Sequence, residues 1–248
     1  MNEVYDEIAK ELSKARRVLF VTGAGISADS GLPTYRGVGG LYNGDATEDG
    51  LAIEDALSGE CLAQRPDITW KYLAQIEHNC HAVAPNAAHR TIASLQAGRE
   101  VVVLTQNIDG LHTQAGSTDV IEIHGSLAAR HCTSCGAAAD ISDRAVPPLC
   151  SGCGGIVRPN VVLFGEMLPE AALGRLYSEL ARGFDMVFVI GTSAVFPYIA
   201  EPVTRAVRAG VPTVEINPAL THLSDRVRYH VAGRAAVALP EIVARVHG

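Results

Sequence analysis

The sequence predicts an α/β protein built on a parallel sheet with helices on both faces. Two observations carry that reading. Apolar, largely β-branched runs alternate with helical segments along the chain. Polar and glycine-rich motifs directly follow several of these runs, and open α/β sheets bind ligands at the carboxyl ends of their strands.

The elements follow in order. Val4, Ile8 and Leu12 are spaced four apart, which makes residues 4–14 a surface helix. Residues 18–22, Val-Leu-Phe-Val-Thr, form the first strand. Gly23-Ala24-Gly25-Ile26-Ser27-Ala28 then matches G-x-G-x-x-G/A, with Ala28 in the last place. Small residues there let the backbone approach a pyrophosphate at a helix N-terminus, although a plain tight turn fits them equally. A dinucleotide fold should continue as a smooth helix. Here Gly31, Pro33, Gly37, Gly39 and Gly40 interrupt the chain, so residues 29–42 read as a cofactor loop.

Between residues 47 and 79, Leu51, Ile53, Leu57, Leu62, Ile68, Tyr72 and Ile76 mark short helices with no strand between them, a helical insertion. Pro85-Asn86 opens a helix over 87–97, and residues 99–105 and 120–123 are the second and third strands. Residues 130–155 hold four cysteines and little apolar bulk. Strand character returns at 161–164, a helix is expected at 168–182, and 185–190 is the strongest strand of the chain. A helix at 201–209, a strand at 211–216 and a short helix at 239–246 complete the series.

The chain has 248 residues, enough for one large domain or a large and a small one. Its net charge of −7, from 20 basic and 27 acidic residues, argues against charge-driven nucleic-acid binding. The lack of any apolar run of about 18 residues argues against a membrane span. Residues 1–17 are amphipathic and charged rather than a signal core, so a cytoplasmic location is expected.

In that compartment six cysteines suggest metal or chemistry before disulfides. Cys132-Thr133-Ser134-Cys135 and Cys150-Ser151-Gly152-Cys153 are two C-x₂-C knuckles. At this separation they supply four thiolates to one structural Zn²⁺, with no open position for water. A pair of reducible disulfides or an iron–sulfur cluster are the competing readings. Cys61 and Cys80 read as small buried residues.

The second strand ends in Gln106-Asn107-Ile108-Asp109, and the third in His124-Gly125. Amide side chains can bond ribose hydroxyls or a carboxamide, and Asp109 can accept from an amide NH₂. The bland alternative is a capped turn. His124 can be a general base at neutral pH or a structural histidine bonded to backbone.

Taken together these residues resemble the sirtuin family of NAD-dependent protein deacylases, over nearly the whole chain, from about residue 18 to 243. The matching pieces are Gly23-Ala24-Gly25-Ile26-Ser27 with Ser30-Gly31-Leu32-Pro33 and Arg36; Gln106-Asn107-Ile108-Asp109; His124-Gly125; the four cysteines; Arg158-Pro159-Asn160-Val161-Val162 with Phe164-Gly165-Glu166; Gly191-Thr192-Ser193; and Asn217-Pro218.

The resemblance implies a Rossmann-like NAD domain at 1–36, 84–128 and 158–248. It also implies a smaller domain at 37–83 and 129–157, made of the helical insertion and the four-cysteine zinc module. NAD and an acyl-lysine peptide would meet between the two. Gly23, Ala24, Gly25, Ile26, Ser27, Tyr35 and Arg36 would lie in the turn and loop around NAD. Gln106, Asn107, Ile108 and Asp109 would hold the nicotinamide and its ribose. Gly191, Thr192 and Ser193 would contact phosphates and ribose, Asn217 the adenosine ribose, and Ala235 the adenine. His124 would be the general base, with Asn107 beside it in the chemistry. The peptide would add as a strand between Val161, Val162, Phe164, Gly165 and Glu166 on one side and Val195 on the other. The products would be free lysine, nicotinamide and O-acyl-ADP-ribose, and a monomer is favoured.

Desuccinylating relatives carry Tyr-x-x-Arg in the helical insertion. Here Tyr72-Leu73-Ala74-Gln75 offers Tyr72 but ends in glutamine, so neutral acyl groups, acetyl first, are expected. Rival readings are NAD-dependent ADP-ribosyl transfer to protein, a silent NAD or ADP-ribose binding module, and a redox enzyme, which would want an acidic residue about 20 positions past the glycines.

Overall fold

The computed structural model describes residues 2–34, 46–139 and 146–246. The helix α1 (Asn2–Lys14) leads into strand β1 (Arg17–Thr22). The insertion forms α2 (Ile53–Ala56), α3 (Gly59–Gln64) and α4 (Pro66–His81), followed by α5 (Ala87–Ser94), β2 (Glu100–Thr105), α6 (Leu111–Gln114) and β3 (Val120–Glu122). Strands β4 (Gly125–Cys132) and β5 (Val157–Val161) flank the cysteine segment. Then come α7 (Glu170–Arg182), β6 (Met186–Ile190), α8 (Pro197–Arg208), β7 (Thr213–Ile216), β8 (Tyr229–Val231) and α9 (Ala235–Ala244).

Six strands form a parallel sheet in the order β3-β2-β1-β6-β7-β8. Alternate residues of each strand serve opposite faces. Val18 and Phe20 join Val101, Val103, Met186 and Phe188 under α1, α5 and α9. Leu19 and Val21 join Val102, Leu104, Val187 and Val189 under α7 and α8. Both faces are covered, which is why these strands read as continuous apolar runs. Register partners Phe20 and Phe188 stack with centroids 4.8 Å apart. A third cluster joins Ala56, Leu57, Leu62, Ile68, Trp70 and Leu73 of the insertion to Leu127, Val161 and Leu163. No helix among the described residues is long and apolar enough to cross a membrane.

Several expectations shift. Of the strand expected at 161–164 only Val161 is strand, the last residue of β5, which pairs antiparallel with β4 outside the main sheet. Beyond it, Phe164 makes a bridge to Ser58 of the insertion. Strand β8 carries only three residues, Tyr-His-Val, too short to stand out from its polar surroundings. Helices α8 and α9 begin about four residues earlier than expected, at Pro197 and Ala235, and carry Pro202 and Pro240 within them. After β1 the chain makes two 3₁₀ turns, at Ala24–Ile26 and Ala28–Ser30, in place of a helix.

Candidate active site

The chain winds outward from β1 in both directions, through β2 and β3 on one side and β6, β7 and β8 on the other. Such a reversal leaves a crevice at the carboxyl ends of the central strands. Gly23–Ser27, Gln106–Asp109, His124, Gly191–Ser193 and Asn217 all follow strand ends on that edge.

The glycines after β1 are required by chain packing. Gly23 N–H donates to Ile190 O (3.1 Å) and Gly25 N–H to Gly191 O (2.8 Å). A Cβ on Gly25 would sit 2.6 Å from Gly191 Cα, and one on Gly191, whose φ is +59°, 2.4 Å from Ile26 N. The two backbones interlock where either side chain would clash. Asn86 secures the turn from below, its Nδ2 donating to Ile26 O (2.7 Å) and Ser30 Oγ (3.1 Å) while its Oδ1 caps α5. Sequence reading used Asn86 only as a helix start; nothing local marks its second task.

The amide and acid after β2 form one network. Asn107 Nδ2 donates to Gly23 O (3.2 Å) and Ser27 Oγ (3.1 Å), and Ser27 Oγ donates to Asp109 Oδ2 (2.7 Å). Asp109 Oδ1 accepts from Leu111 N–H (2.9 Å). Burial raises the Asp109 pKa against the pull of these bonds. Asn107 Oδ1 is buried with no partner among the described residues. An orphaned acceptor at this depth fits a ligand hydroxyl or amide. Gln106 turns the other way, donating to Thr192 Oγ1 (2.8 Å). Asn217 Nδ2 donates to Thr192 O (3.1 Å), so Thr192 is tied to the chain that follows β2 and to the chain that follows β7.

Ala24, Ser27, Leu32, Pro33, Ile76, Asn79, Cys80, Asn107, Ile108 and Asp109 line a cavity that is partly open to solvent. Three of these come from α4, which was read only as a helical insertion. Cys80, expected to be a buried filler, stands on this wall, its thiol pushed up to about 11 by burial and by Asp109. Tyr72 is absent from the wall: it is buried, and its hydroxyl donates to Asp49 Oδ2 (2.5 Å). Ile76, one helical turn further along α4, takes the wall position.

His124 lies beside this cavity rather than on its wall. Its Nδ1 is 3.0 Å from Gln106 O, which can only accept, so Nδ1 carries the proton and Nε2 the lone pair. Burial lowers its pKa, with the Gln106 carbonyl opposing. Neutral imidazole is thus the resting form at neutral pH, as a base needs. Tyr198 Oη lies 2.8 Å from Nε2, a contact sequence reading did not anticipate.

Of the expected peptide residues, Val161 is buried, Val162 and Glu166 half-buried, and Phe164, Gly165 and Val195 exposed. Glu166 is bound by Arg158 (2.5 and 2.9 Å) and by Leu163 N–H (2.8 Å). Burial would raise its carboxyl, but these partners outweigh it and hold it below the usual range. Ser193 is exposed, and Ala235 opens α9 as a buried residue of the first core cluster. Tyr35 and Arg36 lie outside the described residues.

The four cysteine Sγ atoms lie within 4.8 Å of one another, Cys132 and Cys153 at 3.4 Å, Cys135 and Cys150 at 3.9 Å. Zn–S bonds of about 2.3 Å in a tetrahedron imply S···S edges of about 3.8 Å, so the set fits one closed zinc site. Backbone N–H groups of Cys135 and Ser134 pull the Cys132 thiol down to about 6, toward the thiolate a metal needs.

The model of the Sir2 family matches residues 23–197. The chain belongs to the Sir2 family. It is 53% identical to NAD-dependent protein deacylase 2 of Pseudomonas aeruginosa, over 97% of this chain and 96% of the relative. It resembles the crystal structure of a Sir2 homolog–NAD complex (TM-score 0.86, 36% identity, 97% of this chain and 93% of that one). It also resembles a Sir2–p53 peptide–NAD⁺ structure (TM-score 0.83, 29% identity, 96% of each). The expected α/β architecture with a four-cysteine module is therefore that of the family.

Proposed function

We propose that this sirtuin removes acyl groups, acetyl foremost, from protein lysines at the expense of NAD. The observation that carries the reading is the pairing, on one sheet edge, of a buried unpartnered acceptor, Asn107 Oδ1, with a neutral histidine whose Nε2 lone pair faces outward from a fixed Nδ1–H. Bound NAD would supply an activated ribose carbon, whose bond to nicotinamide breaks as the acyl oxygen bonds to that carbon, releasing free nicotinamide. The chain's own residues do the rest. Asn107, Ile108 and Asp109 hold nicotinamide and its ribose in the cavity, and Gly23–Ser27, Gly191–Ser193 and Asn217 hold the phosphates and the distal ribose. The family resemblance assigns the cover over NAD to the loop that carries Tyr35 and Arg36, which lie outside the described residues. His124 Nε2 takes the ribose hydroxyl proton. Apolar walls from Leu32, Pro33 and Ile108 exclude water.

The small unit, 37–83 with 129–157, closes the cleft from the other side, and the acyl peptide adds as a strand between 161–166 and 194–198. The exposed Phe164 and Val195 support that seat, since main-chain pairing serves many sequences alike. The apolar Ile76 on the wall and the withdrawal of Tyr72 support a neutral acyl group over a succinyl one. Four thiols gathered as a metal set support a cytoplasmic location.

The test is mass spectrometry of products from NAD and an acetyl-lysine peptide. O-acetyl-ADP-ribose is expected, and His124→Ala lowers its formation by about 10²–10⁴-fold. An ADP-ribosylated peptide instead would make the protein a transferase, and faster turnover of a succinyl peptide would overturn the acyl assignment.

A further inference from the structure

The phenol of Tyr198 occupies the one atom of His124 that the chemistry needs. Nδ1–H is committed to the Gln106 carbonyl, so Nε2 can only accept, and Tyr198 O–H is its donor at 2.8 Å. Burial raises the Tyr198 pKa and keeps this donor protonated. The ring is held in place: it stacks on Phe196 at 5.5 Å and 13°, and both rings stand edge-on to His124. Phe196 is itself exposed at the rim. Tyr198 is the second residue of α8, and Pro202, four residues on, has no N–H to offer its carbonyl. The first turn of α8 therefore lacks one of the bonds that would fix it.

We propose that Tyr198 is a positioning residue that caps His124 Nε2 in the unliganded enzyme and is displaced when a ribose hydroxyl takes its place. This rests on the reading of His124 as general base. In the proton transfer the ribose O–H bond breaks and an Nε2–H bond forms. The phenol keeps its own proton throughout and, displaced from Nε2, takes no part in the transfer. The cap keeps the imidazole in the productive tautomer and dry until substrate arrives, at the cost of competing with NAD. His124 has no charged partner among the described residues; the Gln106 carbonyl, the Tyr198 phenol and the Phe196 ring are its side-chain contacts.

Tyr198→Phe removes the hydroxyl and keeps the stacked ring. A phenol donating to Nε2 favours neutral imidazole, so its loss raises the His124 pKa, by about one at most, in an NMR titration of the full chain labelled at histidine nitrogen. NAD binding measured by calorimetry without peptide tightens about threefold to tenfold, because no cap has to be broken. Tyr198→Leu, which removes ring and hydroxyl together, also raises the pKa. A His124 pKa that does not rise, or NAD that binds no tighter to Tyr198→Phe, overturns the cap. So does a fall in kcat of about tenfold or more, which would make the phenol part of the reaction. Failure of the wild-type protein to deacylate would sink the functional reading and leave the titration to decide the cap.

Discussion

The sheet edge and the cysteine module solve the same problem, fixing irregular chain in place, by opposite means. At the sheet edge the turns are locked by close backbone packing and by side-chain hydrogen bonds: Gly25 against Gly191, Asn86 Nδ2 to Ile26 O, and Thr22 Oγ1 with His112 Nε2 at 3.0 Å. Both faces of the sheet beneath are packed with apolar side chains, so the edge inherits its rigidity from the core. The module between β4 and β5 has no such foundation. Its described residues are mostly exposed, and what gathers them is four sulphur atoms. The difference teaches where each part is vulnerable: the edge to added volume and buried charge, the module to loss of one ion.

The largest effect is expected from the module. Structural zinc contributes about 10–16 kcal/mol in small domains that cannot fold without it, so chelation or Cys132→Ala should release 132–153 from protection against hydrogen exchange. The sheet strands should stay protected. Loss of protection across β1, β2 and β6 together would show that the two regions are not independent.

Acid should strike the other region. His89 and His112 lie under the edge with rings 4.8 Å apart, His89 held down to about 4 and His112 to about 3, chiefly by burial. Both folded-state values lie below the unfolded value of about 6.5, so the unfolded chain binds more protons as pH falls from 6.5 toward 4. Stability is then full above pH 6.5 and declines below it, by up to about 2.7 kcal/mol per pH unit for the two rings together. Denaturant titrations at pH 7 and pH 5 measure this, and His112→Gln should remove about half the slope. A variant with the wild-type slope would exclude His112 as a source.

Gly25→Ala tests the interlock. Its methyl would meet Gly191 backbone at 2.6–3.0 Å, with no flexible side chain to yield. Overpacking of this kind costs about 1–3 kcal/mol, and NAD binding should weaken as the turn shifts. Unchanged stability would mean the crevice opens more easily than its backbone contacts imply.

These contrasts also explain what could be read from sequence. The parallel sheet was legible because strands buried on both faces leave uninterrupted apolar runs, as in Val18–Val21 and Met186–Ile190. The metal set was legible because its ligands come in two local pairs. His124 and Asn107 were legible because strand ends are where open sheets bind. What escaped depends on contacts between distant segments. Tyr198 meets His124 across 74 positions, and Asn86 meets Ile26 across 60. Gly25 looked like a phosphate contact, but its small size is dictated by Gly191, which no local pattern announces.

The smallest effect separates an α4 residue that lines the cavity from one that only resembles it in position. Tyr72 and Ile76 lie one helical turn apart, so spacing alone cannot say which faces the substrate. The rotation of α4 against the third cluster decides: Tyr72 is buried with its hydroxyl on Asp49, and Ile76 is on the wall. Tyr72→Phe should therefore leave KM for an acetyl-lysine peptide unchanged and alter only the anchoring of Asp49, which Lys71 also holds at 2.9 Å. Ile76→Arg, by contrast, places a cation on the wall and should raise turnover of a succinyl peptide relative to an acetyl one. If Tyr72→Phe changes acyl preference while Ile76→Arg does not, α4 presents the opposite face to the acyl chain.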